Sequence, residues 1–230
     1  MILSPSLLSS DLANLKEEVF ALEEAEISWL HLDVMDGRFV PNITFGPPLI
    51  RSLRSHTSLF FDCHLMIEEP GRYLEDFARA GADLIVVHAE AETHLERTLS
   101  KIKEMGLKSG LALNPSTDLS SLTWICHAID LVLIMGVNPG FSGQKFLPNT
   151  ISKVAACRTL LDHCNASHVA IEVDGGACPE NASALVEAGA DILVSGSAFF
   201  GHKPYGERKK QFEQACLIQN VSDRAITWSH

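Results

Sequence analysis

Reactive side chains fall two residues apart inside short apolar runs. In WLHLDVM (29–35) His31, Asp33 and Met35 alternate with Leu32 and Val34, and in FFDCHLM (60–66) Asp62, His64 and Met66 alternate with Cys63 and Leu65. A third run, VAIEVDG (169–175), places Asp174 after Val173 near its end. Successive side chains of a strand point to opposite faces, so each polar set shares a face and the aliphatic residues take the other. A buried Asp or His is costly unless it is paired or neutralised by a cation. Two imidazoles and two carboxylates brought together suit one divalent ion, Zn²⁺, Mn²⁺, Fe²⁺ or Co²⁺, with coordination positions left for a substrate oxygen. The same residues would also be satisfied as a His–Asp hydrogen-bonded network without metal, and spacing does not choose between the two.

Other groups share the inward phase or gather near the strand ends. Met35, Met66 and Met135 could roof the site with uncharged, polarizable groups or simply fill the core. His88, Glu90, Asn114 and Glu172 are expected to support the reactive residues or fill layers. Small residues recur in three later turns: Gly140-Phe141-Ser142-Gly143, Asp174-Gly175-Gly176 and Gly196-Ser197. Exposed backbone amides there, beside a helix N-terminus, predict a phosphate site. Two Pro- and Gly-containing stretches, 38–48 and 138–148, are longer than ordinary connections and are expected to cover a substrate, the second as a lid.

Elements must position these groups, and the apolar runs show how. They begin at 2, 29, 60, 84, 108, 131, 169 and 192, which leaves 23 to 38 residues per unit for a strand, a loop, a helix and a return. Amphipathic segments such as 11–26, 71–81 and 178–189 lie between them, several closed by a glycine suited to a left-handed C-cap. Parallel strands with helical crossovers follow, and eight units without a linker predict an α/β fold, a (βα)8 TIM barrel, as a single domain over 1–230. A doubly wound open sheet is the competing architecture. The segment Ala80-Gly81-Ala82-Asp83 is repeated as Ala188-Gly189-Ala190-Asp191 ahead of the fourth and eighth strands, either a trace of half-barrel duplication or a turn that looks alike wherever it occurs. Beyond about Lys209 the tail is expected to form a short helix and a packed terminus.

Composition narrows the partners. The chain has 230 residues, 46% hydrophobic and 20% charged, with 18 Lys plus Arg against 29 Asp plus Glu for a net charge of −11. That balance disfavours nucleic acid and anionic membranes. No apolar run is long enough to span a bilayer and the N-terminus has no signal-peptide character, so a cytoplasmic location is expected. The six cysteines are dispersed and are expected to be reduced. Cys178, beside Pro179 at a helix start, could have a lowered pKa; nothing else suggests covalent catalysis, and a structural role is expected.

The chain resembles the ribulose-phosphate 3-epimerase family over essentially its whole length. The matching motifs, in order, are Ser4-Pro5-Ser6, His31-Leu32-Asp33-Val34-Met35-Asp36-Gly37 with Phe39-Val40-Pro41-Asn42, Asp62-Cys63-His64-Leu65-Met66, Asn138-Pro139-Gly140-Phe141 and Val173-Asp174-Gly175-Gly176. The resemblance implies that His31, Asp33, His64 and Asp174 bind one divalent metal and that Asp33 and Asp174 exchange protons with a sugar. It implies substrate contacts from Ser6, His64, Gly140, Phe141, Ser142, Gly143, Asp174, Gly175, Gly176, Gly196 and Ser197. The implied reaction is epimerisation at C3 of D-ribulose 5-phosphate to D-xylulose 5-phosphate, in the pentose phosphate pathway, through an enediolate, by a homo-oligomer. Ser142 stands where the family more usually has glycine, and Ala177-Cys178 departs similarly, which puts sugar selectivity in question more than the chemistry.

Three rivals follow from the same residues. One is a 3-epimerase acting on D-allulose 6-phosphate. Another is a phosphate-binding barrel decarboxylase, which would need a lysine where Asp62-Cys63-His64 places histidine. The third is a sugar-phosphate binding protein without chemistry, which retention of all four ligands and both proton-transfer carboxylates disfavours.

Overall fold

A computed structural model describes residues 1–217, Ile226 and Trp228. Eight strands, β1 (Ile2–Pro5), β2 (Trp29–Met35), β3 (Phe60–Met66), β4 (Leu84–His88), β5 (Lys108–Leu113), β6 (Leu131–Met135), β7 (Ala170–Asp174) and β8 (Ile192–Ser195), form one parallel sheet. Its order runs β1-β8-β7-β6-β5-β4-β3-β2, and a parallel bridge between Ser6 and His31 brings the two outer strands together. The sheet is therefore a nearly closed barrel, the single-domain (βα)8 architecture that the strand spacing predicts. Each strand starts within a residue of its apolar run. Several runs outlast their strands because the last residues, such as Gly175 with φ 104°, turn into the loops that carry the site.

Helices α1 (Leu15–Glu24), α2 (Pro47–Arg54), α3 (Leu74–Ala80), α4 (Leu95–Glu104), α5 (Leu122–Ile125), α6 (Asn149–His163), α7 (Pro179–Glu187), α8 (Ser197–Phe200) and α9 (Tyr205–Leu217) surround the strands. The alternate, aliphatic side chains of the strands, among them Leu30, Leu32, Phe61, Cys63, Ile171 and Val173, pack outward against the helices in one large core. The inward residues make a separate interior. Its floor is apolar, built from Trp29, Phe60, Leu84, Leu131, Ala170 and Ile192. Trp228 lies against that floor, its ring 5.6 Å from Trp29, so the expected packed terminus is found at the barrel's N-terminal end. The expected helix is α9; the tail between it and Ile226 lies outside the described residues.

The repeated Ala-Gly-Ala-Asp segment has a mechanical reading. Asp83 Oδ2 accepts the Phe61 N–H at 2.7 Å and faces Arg54 at 3.1 Å, and Asp191 Oδ2 accepts the Ile171 N–H at 2.9 Å and faces Arg158 at 3.0 Å. Each aspartate thus ties a strand's entry to the strand before it and to the helix that leads into that earlier strand. Asp130, outside the repeat, accepts the Ser109 N–H in the same way at 3.0 Å. Local need at strand entry is enough to account for the likeness, without duplication.

Among the described residues no helix is long and apolar enough to cross a membrane. All six cysteines are free.

Candidate active site at the barrel mouth

In register, His31 pairs with Asp62 and Asp33 with His64, so β2 and β3 present two interior layers side by side. The upper layer meets Asp174 from β7. His31 Nε2 lies 3.3 Å from Asp33 Oδ1 and 3.9 Å from Asp174 Oδ2, while His64 Nδ1 lies 3.3 Å and 3.7 Å from the same two oxygens. The two ring nitrogens are themselves 3.3 Å apart. All four donor atoms fall within 4.8 Å of one another. A tetrahedral ion with bonds of about 2.0–2.2 Å sets its ligands about 3.3–3.6 Å apart; the three 3.3 Å separations match this, and the two to Asp174 are slightly longer. Both histidines are wholly buried, and among the described residues no lysine or arginine pairs with either carboxylate. The residues present therefore fit a divalent metal.

The rear nitrogens of both rings are engaged. His31 Nδ1 bonds Asp62 Oδ2 at 2.5 Å, and His64 Nε2 faces His88 Nε2 at 2.8 Å. Hydrogen-bond partners thus hold the far edge of each imidazole, while the near edges face Asp33 and Asp174 in the candidate ligand cluster. Asp62 belongs to the lower layer with Glu172, whose Oε1 is 3.7 Å from His31 Nδ1. Burial together with the adjoining Asp62 pushes the pKa of Glu172 well up. Asn114 stays apart from the reactive cluster; its N–H donates to Glu90 Oε1 at 2.9 Å.

The carboxylates Asp33 and Asp174 differ sharply. Burial would raise Asp33, but the His31 and His64 imidazoles beside it hold it well below the ordinary range. Ser6 Oγ–H also donates to Asp33 Oδ2. Burial and the charge of Asp33 push Asp174 up to about 7. Burial lowers His31, yet Asp62 and Asp33 outweigh it and leave the ring well above its usual value. Two carboxyls with environments this different can serve one as a base and the other as an acid.

Above the cluster opens a cavity of about 210 Å³ lined on one side by Ser6, Asp33, Met35 and Asp174, and on the other by Gly140 to Gly143, Gly175, Gly176, Gly196 and Ser197. Every expected substrate contact except His64 lines it. His64 is buried behind Asp33, where it faces the donor cluster and not the cavity. Met35 and Met135 border the cavity, whereas Met66 packs with Met35 and Val40 in the layer behind. Residue types gave no hint of Leu8, Ser9 and Gln144, which also line it. Ser9 Oγ is buried without a partner on the glycine side, and a Cβ at Gly196 would lie 2.5 Å from it.

The two loops touch, as Asn42 Nδ2 donates to the Gly140 carbonyl at 2.9 Å, and of the two it is the second that lines the cavity. Gln144 Nε2 folds the second loop on itself by donating to the carbonyls of Asn138 (2.6 Å) and Phe141 (3.0 Å). Gly175 and Gly176 both have positive φ, 104° and 74°, a left-handed turn at the end of β7 that glycine adopts readily. Cys178 caps α7, its N–H donating to Asn181 Oδ1 at 2.9 Å; burial and Glu180 raise its thiol pKa, so the lowering expected at a helix start is not found.

Fold and site together define a TIM-barrel isomerase, with paired carboxylates at the C-terminal ends of its strands. Residues 2–200 match the Ribulose-phosphate 3 epimerase family. The chain is 50% identical over 209 residues to the ribulose-phosphate 3-epimerase of Synechocystis sp., covering 90% of each. It is 46% identical over 211 residues to that of Bacillus subtilis, covering 92% of this chain and 96% of the relative. It belongs to the ribulose-phosphate 3-epimerase family. Among solved structures, 3-hexulose-6-phosphate synthase from Salmonella typhimurium shares the fold at a TM-score of 0.69 with 17% identity, over 95% of this chain and 99% of that one.

Proposed function

We propose that the protein interconverts D-ribulose 5-phosphate and D-xylulose 5-phosphate, with Asp33 and Asp174 removing the C3 proton from one face and returning another from the opposite face. The observation that carries this reading is the pair of carboxylates meeting from β2 and β7 at one cavity, with two imidazoles between them and glycine-rich amides opposite. A divalent metal would be held by His31, Asp33, His64 and Asp174, and when bound it supplies the positive charge that makes a C–H next to a ketone acidic. Asp33, kept ionised, removes the proton from C3 and leaves a planar enediolate. Asp174 returns a proton from the opposite face, and the two exchange roles in reverse. Ser6 fixes the Asp33 carboxylate through Oδ2, which leaves Oδ1 with the imidazoles.

Met35 and Met135 keep water from the enediolate, which would otherwise be protonated at random. Backbone N–H groups of Gly175, Gly176, Gly196 and Ser197 donate to the phosphate oxygens, which explains how a chain of net charge −11 takes an anionic substrate. Loop 140–143 closes over the sugar. His64 is assigned to the metal and not to the sugar, because it lies outside the cavity lining. The substrate is a soluble phosphate ester, which suits an enzyme of the cytoplasm. The five-carbon substrate is tested by comparing kcat/KM on D-ribulose 5-phosphate with that on D-allulose 6-phosphate: a clear preference for the first is expected, and a preference for the second overturns it.

A further inference from the structure

His64 and His88 face each other through Nε2 atoms 2.8 Å apart, both rings buried. A contact of that length between two ring nitrogens needs a proton on one and a lone pair on the other. The opposite nitrogen of His64, Nδ1, sits among the donor atoms of Asp33, His31 and Asp174 at 3.3 to 3.7 Å. A ligating nitrogen carries no proton, so the proton of His64 belongs on Nε2 and is donated to His88 Nε2. That leaves the proton of His88 on Nδ1, 3.2 Å from Glu90 Oε2. The other oxygen of Glu90 accepts the Asn114 N–H at 2.9 Å and the Thr117 hydroxyl, both in the loop after β5. Both ring donors point the same way, from the mouth cluster outward, and the loop donors meet them from the other side at Glu90.

We propose that His88 and Glu90 are positioning residues that fix the tautomer and ring orientation of His64 for the metal, an assignment that rests on the metal reading above. A histidine that merely fills a layer has no reason to carry its proton on a particular nitrogen. Here the direction is set at both ends: by the ligand cluster on one side, and on the other by a carboxylate that the loop after β5 holds in place. Partners behind a metal-bound imidazole typically account for 10- to 100-fold in metal affinity.

The test titrates chelator-treated protein with Co²⁺ and follows its visible absorption, for the unaltered chain, Glu90→Gln and His88→Gln, each checked for fold by circular dichroism. The expected result is a Kd raised about tenfold or more in both variants, with altered Co²⁺ band intensities. Unaltered protein that binds while both folded variants bind equally well overturns the relay alone. Failure of the unaltered protein to bind Co²⁺ overturns the metal reading, and the relay with it. Should either variant fail to fold, ¹⁵N NMR of the unaltered Zn²⁺-loaded protein decides: protons on His64 Nε2 and His88 Nδ1 are expected, and a proton on His88 Nε2 contradicts the proposal.

Discussion

Asp33 and Asp174 stand on β2 and β7, with β1 and β8 between them, yet each places a carboxylate oxygen within 4 Å of the same atom, Nε2 of His31. Barrel closure brings together what 140 residues of chain separate. Reagents that approach one planar carbon from two sides need this arrangement, with both groups fixed on rigid strands.

Replacing either aspartate by asparagine keeps the shape and removes the proton acceptor. Asp33→Asn and Asp174→Asn are each expected to lower kcat by about 10²- to 10⁴-fold, measured in a coupled assay at saturating ribulose 5-phosphate. A near-normal kcat in a folded, metal-replete Asp174→Asn protein would falsify the two-sided mechanism.

Metal affinity should depend on pH with a definite sign. Binding must displace the proton that His31 holds well above its usual pKa. Apparent affinity is therefore expected to rise about tenfold per pH unit through neutral pH. In the chelated protein the sign reverses. An acid whose folded pKa lies above its unfolded value binds more protons when folded, so Asp174 makes the metal-free fold less stable as pH climbs from about 4 to about 7, and changes little beyond. Thermal melts at pH 5 and 8, with and without chelator, check both statements.

The glycine pair after β7 offers a separate handle on the phosphate. Gly176 has φ 74°, and a Cβ there would lie 2.9 Å from Phe146 Cβ and 3.1 Å from its Cα. Gly176→Ala is expected to cost about 1–3 kcal/mol of stability and to raise KM for the sugar phosphate more than it lowers kcat. An unchanged KM would remove these amides from the phosphate site.

Much of this was legible before the fold. Alternation alone placed His31 and Asp33 on one face and Asp62 and His64 on another, because period 2 needs no knowledge of neighbours. Register was not legible. His64 pairs with Val86, so His88 belongs one layer higher on β4, and only strand tilt brings its Nε2 to 2.8 Å from His64. Inward phase likewise could not separate Asp62, which turns to the rear of His31, from Asp174, which joins the front, since that depends on how far each strand climbs the barrel. Ser9 was missed because its strand had already ended, and a serine in a short turn carries no periodicity.

A stability prediction tests the strand-entry ties. Asp191→Ala takes the carboxylate from Arg158, a guanidinium only 7% exposed, and the acceptor from the Ile171 N–H. A loss of roughly 3 kcal/mol is expected in urea unfolding, with kcat of the folded protein unchanged because the tie lies at the opposite end of the barrel. A loss below about 1 kcal/mol would mean that these ties contribute little.

The most direct measurement is a proton NMR time course with D-ribulose 5-phosphate in D₂O, run with metal-replete and chelated protein. Disappearance of the C3 proton signal as deuterated xylulose 5-phosphate accumulates, abolished by chelator and restored by added Zn²⁺ or Mn²⁺, is the result expected of two aspartates working beside a metal. Conversion without deuterium uptake at C3, or exchange that persists undiminished after the metal is removed, would contradict it.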